Sequence, residues 1–387
     1  MPHHRLTASL HPSIAAIAPD AWNACAGADN PFVSHAFLSA LEDSGSTGPR
    51  TGWLPQHLAI SDEAGRVLAV APCYAKSHSY GEYVFDHGWA EAFMSAGGAY
   101  YPKLQVAMPF SPVPGPRLMA RPDALITHAQ LADALADACA ALDLSSVHVT
   151  FCTAAESAAL REAGWLTRTG VQFHWHNQGY TDFEDFLARL ATRKRKQIRR
   201  ERRDAHAAGL DFRVLRGHEI APAQWAAFYR FYTSTIDRKW GSAYLTEDFF
   251  PLLSRALGDR VVLMLAYQGT KPVAGALNLM GSDTLYGRNW GCVGEFPFLH
   301  FELCYYQAID FAIAHGLARV EAGAQGEHKI QRGYLPAATH SAHHIAHRGL
   351  RGAVARFLEQ EQARINDDMA LLAAYSPYRA EGEGAGV

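Results

Sequence analysis

Two stretches of the chain, separated by about half its length, repeat one pattern of apolar runs and turns. The first extends from His57 to Trp89 and the second from Met264 to Cys292. In both, short apolar runs alternate with glycine-containing turns and lead into an aromatic segment that also contains glycine, which is the pattern of a β-meander. This internal repeat predicts two domains of similar design.

Further strands and helices extend the pattern. Apolar runs between turn residues predict strands at His57–Ser61, Val67–Lys76, Val171–His176, Val261–Tyr267, Val273–Met280, Leu285–Trp290 and Ala318–Ala322. Helices are predicted at the alanine-rich Leu131–Leu142 and at Phe301–His315, where apolar residues recur with the helical period before Gly316. Because strands and helices alternate in this way, we expect an α/β (α+β) fold in which each half is a mixed, mostly antiparallel sheet flanked by helices.

The length of the chain agrees with this division. A chain of 387 residues exceeds one domain of ordinary size and fits two. We place the first domain in residues 1–177 and the second in residues 178–375, because the last predicted strand of the first half ends at His176. Residues 376–387 are polar and rich in glycine, and we expect a disordered tail there.

The composition excludes a strong long-range field. The formal net charge is −3 at pH 7, so any attraction to nucleic acid or membrane has to come from a local patch. The six cysteines form no C-x-x-C pair, which indicates reduced thiols in a cytosolic protein. The sequence contains neither an apolar run long enough for a membrane helix nor an uninterrupted signal core, and we expect a cytoplasmic location.

The segment Glu321–Tyr334 carries a dense set of chemically useful residues directly after a predicted strand. Its glycines Gly323 and Gly326 allow the backbone to approach a ligand closely. A base, an acid and two cations follow them: Glu327, His328, Lys329 and Arg332. A purely structural glycine loop rarely carries so many ionisable groups, so we predict that this segment belongs to an active site.

A second candidate is the aromatic and acidic segment His78–Ala90. In an extended conformation His78, Tyr80 and Glu82 would lie on one side, and Asp86 would follow in a loop. A carboxylate beside an imidazole can act as a general base. The alternative is a polar loop whose groups hydrogen-bond to the backbone.

Two loops add possible anion contacts. The proline-dense blocks Tyr100–Leu104 and Pro109–Arg117 contain Lys103 and Arg117, which could hold a phosphate or carboxylate or could be solvated charges on a rigid surface. The glycine-containing turn before the helix at Phe301–His315 offers N–H groups to a pyrophosphate or oxyanion. It matches neither a P-loop nor a dinucleotide fingerprint.

A basic run extends from Arg193 to Arg203 on a helix that we expect to begin near Phe183. Its charges could contact tRNA, the 3′-phosphate of coenzyme A or an anionic membrane surface, or could form a solvated helix face. The residues that we assign to polyanion binding are Arg195, Arg199 and Arg202.

The histidines form no convincing metal site. On a helix His340, His343, His344 and His347 would share a face, although the segment after Pro336 has more the pattern of a strand. His174 and His176 would share a strand face. Because no cysteine or carboxylate completes either set, we predict no metal.

Five blocks of the sequence together resemble one family. They are H-S-Y-G-E-Y-V-F-D, Y-Y-P-K-L, P-F-S-P-V-P-G-P-R, E-L-C-Y-Y-Q-A-I and G-A-Q-G-E-H-K-I-Q-R-G-Y. With them the chain, from Pro31 through the block F-L-E-Q-E at Phe357, resembles the FemAB-like group of the GNAT superfamily. These are predicted N-acyltransferases once labelled peptidoglycan biosynthesis or recognition proteins. The resemblance implies tandem GNAT-like domains and transfer of an acyl or aminoacyl group to an amine.

The resemblance also implies particular residues and donors. Fem-type peptidyltransferases carry a glycine-rich segment ending in a Phe-Lys pair, and the matching lysine here is Lys329, with His328 in place of the phenylalanine. The usual coenzyme A loop of GNAT enzymes, Q/R-x-x-G-x-G/A, is not clearly present. Two donor substrates therefore stay open, an acyl-CoA-type thioester and an aminoacyl-tRNA, and no tightly bound cofactor is expected.

We predict direct transfer in a ternary complex of donor and amine acceptor. The candidate bases are Glu82, Asp86 and Glu327. Lys329 and backbone N–H groups would stabilise the oxyanion, and His328 or Tyr305 would protonate the leaving group. The expected substrate contacts are His78, Tyr80, Tyr101, Lys103, Arg117, Trp240, Arg288, Asn289, Tyr305, Gly323, Gly326 and Arg332. We expect the segments 78–90 and 321–334 to border one crevice; the alternative is a non-catalytic cell-wall or lipid-binding module.

Overall fold

The computed structural model describes residues 6–237, 243–323 and 326–379, which divide into two compact units. The first unit comprises the described residues of Met1–Gly170, Tyr244–Phe249 and Ala338–Asn366. The second comprises those of Val171–Ala243, Phe250–Ala337 and Asp367–Val387. The predicted division at residue 177 makes each domain one continuous stretch, whereas each unit is assembled from three stretches.

The strands and helices follow one another along the whole described chain. The strands are β1 (Thr7–His11), β2 (Trp53–Pro55), β3 (His57–Ser61), β4 (Val67–Ala71), β5 (Cys73–Lys76), β6 (Lys103–Val106), β7 (Met119–Ala120), β8 (Ser146–Cys152), β9 (Leu166–His176), β10 (Leu210–Arg216), β11 (Val261–Gln268), β12 (Lys271–Met280), β13 (Thr284–Cys292), β14 (Arg319–Glu321) and β15 (Leu335–Ile345). The helices are α1 (Pro19–Ala26), α2 (His35–Asp43), α3 (His87–Ser95), α4 (His128–Ala141), α5 (Ala154–Glu162), α6 (Phe183–Arg189), α7 (Thr192–His206), α8 (Pro222–Asp237), α9 (Phe249–Leu257), α10 (Leu299–Phe301), α11 (Gln307–Ala314) and α12 (Arg348–Ala374).

The first unit contains two sets of hydrogen-bonded strands. One is a sheet in the order β1-β3-β4-β7, and the other strands of this unit lie in the order β15-β8-β6-β5-β2. The prediction of a single strand at Val67–Lys76 is wrong, because β4 and β5 belong to different sets. Pro72 separates them, since proline supplies no N–H for a strand ladder.

The core of the first unit lies between these strands and the alanine-rich helix α4. Leu131, Leu135 and Cys139 recur on one face of α4 and pack with strand residues such as Val106 and Val147. The predicted helix at Leu131–Leu142 is thereby confirmed, with its start moved to His128, where Thr127 and Gln130 form a capping box.

The second unit is built on one sheet in the order β10-β11-β12-β13-β14-β9. Strands β10 to β13 pair antiparallel, and β11 to β13 follow one another as a meander. β14 then pairs parallel to β13, which requires a crossover, and the helical segment from α10 to α11 supplies it. The predicted meander of the second half is therefore confirmed.

The crossover helix contains an unusual turn. The predicted helix at Phe301–His315 is observed as α10, a π-helical turn at Glu302–Tyr306 and α11. Its apolar face, with Tyr305, Ala308, Ile309 and Ala312, packs in the core of the unit. Gly316 follows with φ 64, the left-handed conformation expected of a glycine at a helix end.

Two expectations in the second unit are wrong. The basic run does not continue the helix from Phe183, because α6 ends at Arg189 and α7 starts at Thr192. The tail is not disordered from residue 376 onward: Tyr378 donates to the Gly333 carbonyl at 2.9 Å and packs against Phe186. The remainder of that tail, residues 380–387, lies outside the described residues.

Replacing Glu156, on α5, by glutamine tests how much its buried carboxylate stabilises the first unit. Its buried carboxylate accepts the N–H groups of Arg117 and Leu118 at 2.6 Å and, from Thr153, a backbone N–H at 2.7 Å and a hydroxyl at 2.9 Å. Glu156→Gln turns one acceptor oxygen into a donor facing these groups. We expect the free energy of unfolding, measured in urea, to fall by about 3 kcal/mol. The control, Glu162→Gln, changes an exposed residue of the same helix and should stay within about 0.5 kcal/mol of the unchanged chain; equal stability of the two variants would contradict the expectation.

Candidate functional site

A pocket opens in the second unit where two parallel strands separate. β13 and β14 are paired only from Thr284 to Tyr286 and from Arg319 to Glu321. β13 continues to Cys292, whereas β14 ends at Glu321. Beyond Tyr286, β13 therefore borders an opening on this side, where the continuation of a ladder would otherwise lie.

Polar and aromatic side chains line this pocket. Its empty space is about 410 Å³, part of it open to solvent, and its lining residues are Ala276, Leu277, Asn278, Gly287, Arg288, Asn289, Trp290, His300, Cys304, Tyr305 and Ala322. Three of the expected substrate contacts, Arg288, Asn289 and Tyr305, thus lie together. Sequence reasoning missed three lining residues. Asn278 reaches the pocket through the pairing of β12 with β13, and His300 and Cys304 lie on the helical segment of Tyr305 but carry no motif of their own.

A β-bulge explains why Arg288 and its neighbours are placed at the pocket. Leu277 pairs with Asn289 and Asn278 pairs with Gly287, so Arg288 is the extra residue of β13. A bulge redirects side chains and is frequent beside active sites. A Cβ on Gly287 would lie 3.3 Å from the Glu321 carbonyl oxygen, so glycine fits where the two strands begin to separate.

The crossover helix begins at the pocket and widens within it. Phe298, with φ 59, precedes α10 and makes no side-chain cap, and His300 of the first turn lines the pocket. Cys304 and Tyr305 lie in the π-helical turn. Such turns occur mostly as single insertions within helices and are frequent at functional sites.

The glycine-rich segment contributes a hydrogen bond to a pocket residue. Tyr305 Oη lies 2.9 Å from His328 Nε2. Burial, with the nearby cations Arg332 and Lys329, lowers the pKa of His328, and burial raises the pKa of Tyr305. At neutral pH this is a neutral imidazole beside a neutral phenol, an arrangement able to relay a proton.

Lys329 holds the turn that contains Gly323 through a hydrogen bond. Its buried ammonium donates to the Gly323 carbonyl at 2.9 Å, and burial lowers its pKa to about 8. Gly323 and Gly326 have φ of 79 and 113, which non-glycine residues rarely adopt. Glycine therefore suits the conformation of both positions, and the expected close approach to a ligand stays a prediction.

The other charged residues of this segment have different positions. Arg332 donates to both carboxylate oxygens of Glu201, at 2.9 and 3.0 Å, and lies 3.5 Å over the ring of Phe301. Its guanidinium is thus occupied within the core, and we no longer assign it to substrate binding. Glu327 is exposed, and Trp240, another expected contact, lies outside the described residues.

The acidic segment of the first unit forms a buried ion cluster. Lys103 donates to Glu82 at 2.7 Å, to Ser79 at 2.9 Å and to Asp86. Burial opposes the charge of Lys103, but the two carboxylates raise its pKa overall. Burial also opposes ionisation of Asp86, yet Lys103 holds the pKa of that carboxyl well below its usual range. Asp86 is therefore a paired anion and a weak base.

Three further side chains complete the cluster. Lys76 lies 3.8 Å from Glu82, and burial lowers the pKa of this lysine to about 7 while it raises the pKa of Glu82 to about 7. Tyr100 donates to Asp86 at 2.7 Å, and Tyr101 Oη lies 2.8 Å from Ser79 Oγ. Lys103 and Tyr101, expected to contact substrate, instead contact the acidic segment.

The expected alternation along this segment is wrong. Residues between β5 and α3 form no strand, and Glu82 is buried while Tyr80 is 60% exposed. Two buried lysines account for this, because they draw the carboxylates inward and leave the rings outside. His78 Nε2 lies 3.0 Å from the Thr51 carbonyl, so one nitrogen of its imidazole is hydrogen-bonded to the backbone.

Arg117 does not present its charge to a ligand. It is fully buried, and it donates to the backbone carbonyls of Val113 at 2.5 Å, Gly115 at 3.1 Å, Pro116 at 3.0 Å and Thr150 at 3.0 Å. Its role is to hold the proline-dense loop together, and we no longer assign it to substrate binding.

The basic helix α7 divides its charges between two faces. Arg202 donates to Glu302 at 3.1 Å and to Asp310 at 2.7 Å, and Arg199 pairs with Glu184. The assignment of these two arginines to polyanion binding is not favoured by such partners. Exposed cations recur instead at Arg193, Lys196 and Arg200, whose spacing places them on one face of the helix.

The two segments that we expect to border one crevice belong to different units, 78–90 to the first and 321–334 to the second. Their common crevice stays a prediction.

Among the residues that the structure describes, no group of three or more His, Cys, Asp or Glu side chains is arranged to hold a metal ion. The histidines from His340 to His344 lie on strand β15, where His343 Nδ1 is 2.7 Å from His148 Nδ1. Within the same described ranges, no helix is both long and apolar enough to span a membrane.

Comparison with known proteins identifies a family. The model of the FemAB-like family, described as peptidoglycan biosynthesis/recognition, matches residues 13–380. The resemblance inferred from the five sequence blocks is thereby confirmed. No curated protein sequence matches the chain.

Solved structures share the fold. The crystal structure of FemX matches with a TM-score of 0.54 at 12% identity, over 91% of this chain and 100% of FemX. L-PGS from Bacillus licheniformis matches with a TM-score of 0.50 at 10% identity, over 83% of this chain and 95% of L-PGS. A conserved protein of unknown function from Bacteroides thetaiotaomicron matches with a TM-score of 0.51 at 10% identity, over 86% and 98% of the two chains. At these identities the likeness concerns the fold alone, and the predicted mixed α/β class is confirmed.

Replacing Lys329 by methionine tests the burial of its charge. The pKa of Lys329 is lowered from 10.5 to about 8 in the folded chain. Between these values the unfolded chain binds more protons, so folding stability rises with pH through this window. From pH about 7 to pH about 9.5, the free energy of unfolding should rise by about 2 kcal/mol relative to Lys329→Met. The matched change at the exposed Lys271 should show no such slope, and parallel pH profiles of the unchanged chain and Lys329→Met would refute the expectation.

Replacing Lys103 by methionine tests the ion cluster. The change leaves Glu82 and Asp86 buried without their common partner, and we expect the free energy of unfolding to fall by about 4 kcal/mol. The triple variant Lys103→Met, Glu82→Gln, Asp86→Asn removes both charges and should recover part of the loss. Urea unfolding measures all three proteins; a loss for Lys103→Met no larger than that for the exposed Lys196→Met would speak against a tight cluster.

Proposed function

The chain belongs to the FemAB-like family, and on that premise we propose that its second unit transfers an acyl group from an activated donor to an amine. The donor in this proposal is an acyl-CoA-type thioester, and the amine attacks it directly in a ternary complex. The observation that carries the proposal is the pocket between β13 and β14, in which Tyr305 is hydrogen-bonded to His328.

The shape of the pocket suits a reacting carbonyl. Its empty space of about 410 Å³ includes space that is open to solvent, so the enclosed part fits only a short acyl group with the attacking nitrogen. Backbone N–H groups of β13 beyond Tyr286 and the amide of Asn289 are candidate donors to the oxyanion. The start of α10, which carries no side-chain cap, is a candidate site for the pyrophosphate of a coenzyme A donor.

Proton transfer follows from the Tyr305–His328 pair. The amine reaches the pocket neutral, having left one proton in solvent. As its nitrogen forms the C–N bond, it gives a second proton to Tyr305 Oη, which passes its own proton to His328 Nε2. The C–S bond then breaks, and the proton returns from the imidazolium through Tyr305 to the leaving thiolate. The lowered pKa of His328 makes its imidazolium a ready donor for this last step.

This assignment replaces the carboxylate bases that the sequence suggests. Asp86 is paired with Lys103, and Glu82 shares the same ammonium. Lys329 acts in this proposal by holding the Gly323 turn, because its ammonium is engaged with that carbonyl. Its positive charge near the pocket adds to oxyanion stabilisation.

A second candidate donor is an aminoacyl-tRNA. The exposed row of Arg193, Lys196 and Arg200 favours it, because a row of cations on one helix face fits the backbone of a polyanion. An anionic membrane surface would be attracted by the same row. The chemistry at the pocket is the same for an ester donor, with an alkoxide in place of the thiolate.

Native mass spectrometry and label transfer distinguish the donors. The purified chain is first inspected for co-purified coenzyme A, acyl-CoA or tRNA. It is then incubated with amine acceptors and with radiolabelled acetyl-CoA, octanoyl-CoA or alanyl-tRNA. Label transfer from a thioester supports the proposal, and transfer from the tRNA alone supports the second candidate. Transfer from neither donor, with no co-purified donor, overturns both and favours a binding module.

Tyr305→Phe tests the proton relay. The change removes the hydroxyl that connects the pocket to His328, and kcat for acyl transfer should fall about 100- to 10,000-fold with little change in KM for the donor. Tyr306→Phe is the matched control on the same helical turn. Its hydroxyl donates to Glu201, so we expect a loss of about 1 kcal/mol in stability and full transfer activity. Equal activity of both variants would exclude Tyr305 from the chemistry.

A further inference from the structure

A long apolar groove lies in the first unit, between β1 and α4. Its empty space is about 1030 Å³, and it is open along one side. Ala8 and Leu10 of β1, with their pairing partners Ile60 and Leu58, form the sheet wall. The opposite wall is one face of α4, on which Ala134 and Ala138 recur at helical spacing, together with Leu142 directly after the helix.

The groove has the dimensions of a short strand. Its helix wall extends from Gln130 to Leu142, which at the rise of an α-helix is about 18 Å. The five residues of β1 extend over about 17 Å. Two large apolar residues that line the groove are exposed to solvent: Leu6 is 36% exposed and Leu142 is 44% exposed.

The edge of β1 supplies a second, independent observation. Within the part of the chain that the structure describes, β1 pairs with β3 alone and is the terminal strand of its sheet. The outer N–H and C=O groups of β1 therefore lack a strand partner among these residues. An exposed edge of this kind is a template for one more strand.

The rim of the groove is acidic. Asp133 and Asp137 are exposed, lie one turn apart on α4 and line the groove. Their charges favour basic side chains in an occupant and disfavour fatty acids and acidic lipids. A hydrocarbon chain would fill the apolar walls but would leave the edge of β1 without hydrogen bonds. A second copy of β1, with the sequence T-A-S-L-H, brings no lysine or arginine to the rim.

We propose that this groove binds an extended peptide, which adds as a strand to the free edge of β1 and carries alternating apolar and basic side chains. The backbone of the peptide pairs with β1. Its apolar side chains fill the space left by Ala134 and Ala138, and its basic side chains meet Asp133 and Asp137. This site is independent of the acyl-transfer pocket, which lies in the other unit.

Synthetic peptides test each part of the proposal. The probe is a fluorescein-labelled heptapeptide of alternating lysine and valine. The first comparison peptide has glutamate in place of each lysine. The second is the lysine–valine peptide with N-methylated valines, which lack the N–H groups that a strand ladder requires. Fluorescence anisotropy with the full chain measures binding, and hydrogen exchange measures protection of the backbone amides of Thr7–His11. We expect the lysine–valine peptide alone to bind and to slow exchange at these residues.

Variants of the chain locate the contact. Asp133→Asn with Asp137→Asn should weaken binding about tenfold, and Ala138→Phe, which fills the groove, should abolish it. The matched control, Asp20→Asn with Asp29→Asn, removes two exposed charges elsewhere in the unit and should leave binding unchanged.

Four outcomes would overturn the proposal. The first is no binding of the lysine–valine peptide, and the second is equal binding of the acidic or N-methylated peptide. The third is binding without protection of Thr7–His11. The fourth is binding only to a chain shortened by residues 1–5, which would make the chain's own first residues the occupant. None of these measurements depends on acyl-transfer activity. The peptide-binding proposal and the proposed function can therefore be refuted independently of each other.

Discussion

The brief parallel pairing of β13 with β14 is the constraint on which the candidate active site depends. Parallel strands need a crossover, and the helix that provides it starts beside the point where the strands separate. The pocket therefore has a strand edge on one side and a helix start on the other. The bulge at Arg288 and the π-helical turn at Tyr305 then direct side chains into the space between them.

The two units use ionisable residues in opposite ways. In the first unit Lys103 pairs with Glu82 and Asp86 in the interior, which holds the segment after β5 in place and leaves Tyr80 outside. In the second unit the pair of Tyr305 and His328 borders a pocket that is partly open to solvent. Both groups are neutral at neutral pH, because burial raises the pKa of Tyr305 and partial burial together with Arg332 and Lys329 lowers the pKa of His328. Proton transfer requires such neutral groups, and a salt bridge would prevent it.

Residues near one another in the sequence were the ones that reasoning from sequence could place. The glycines at positions 323 and 326 could be found from local composition, and the expected contacts Arg288, Asn289 and Tyr305 lie together at the pocket. Arg117 and Arg332 could not be judged in this way. Their guanidinium groups are engaged by distant carbonyls or by Glu201, and no local pattern reveals such partners.

The sequence by itself determined the family, the mixed α/β class, the meander of the second half and the glycine-rich segment that reaches Tyr305, because apolar periodicity, turn residues and motif blocks act over short distances. The tertiary structure decided which charges are available for chemistry. The free energy of a buried charge depends on partners tens or hundreds of residues away: Lys103 is held by Glu82 and Asp86, and Arg332 by Glu201. Only folding brings those partners within hydrogen-bonding distance.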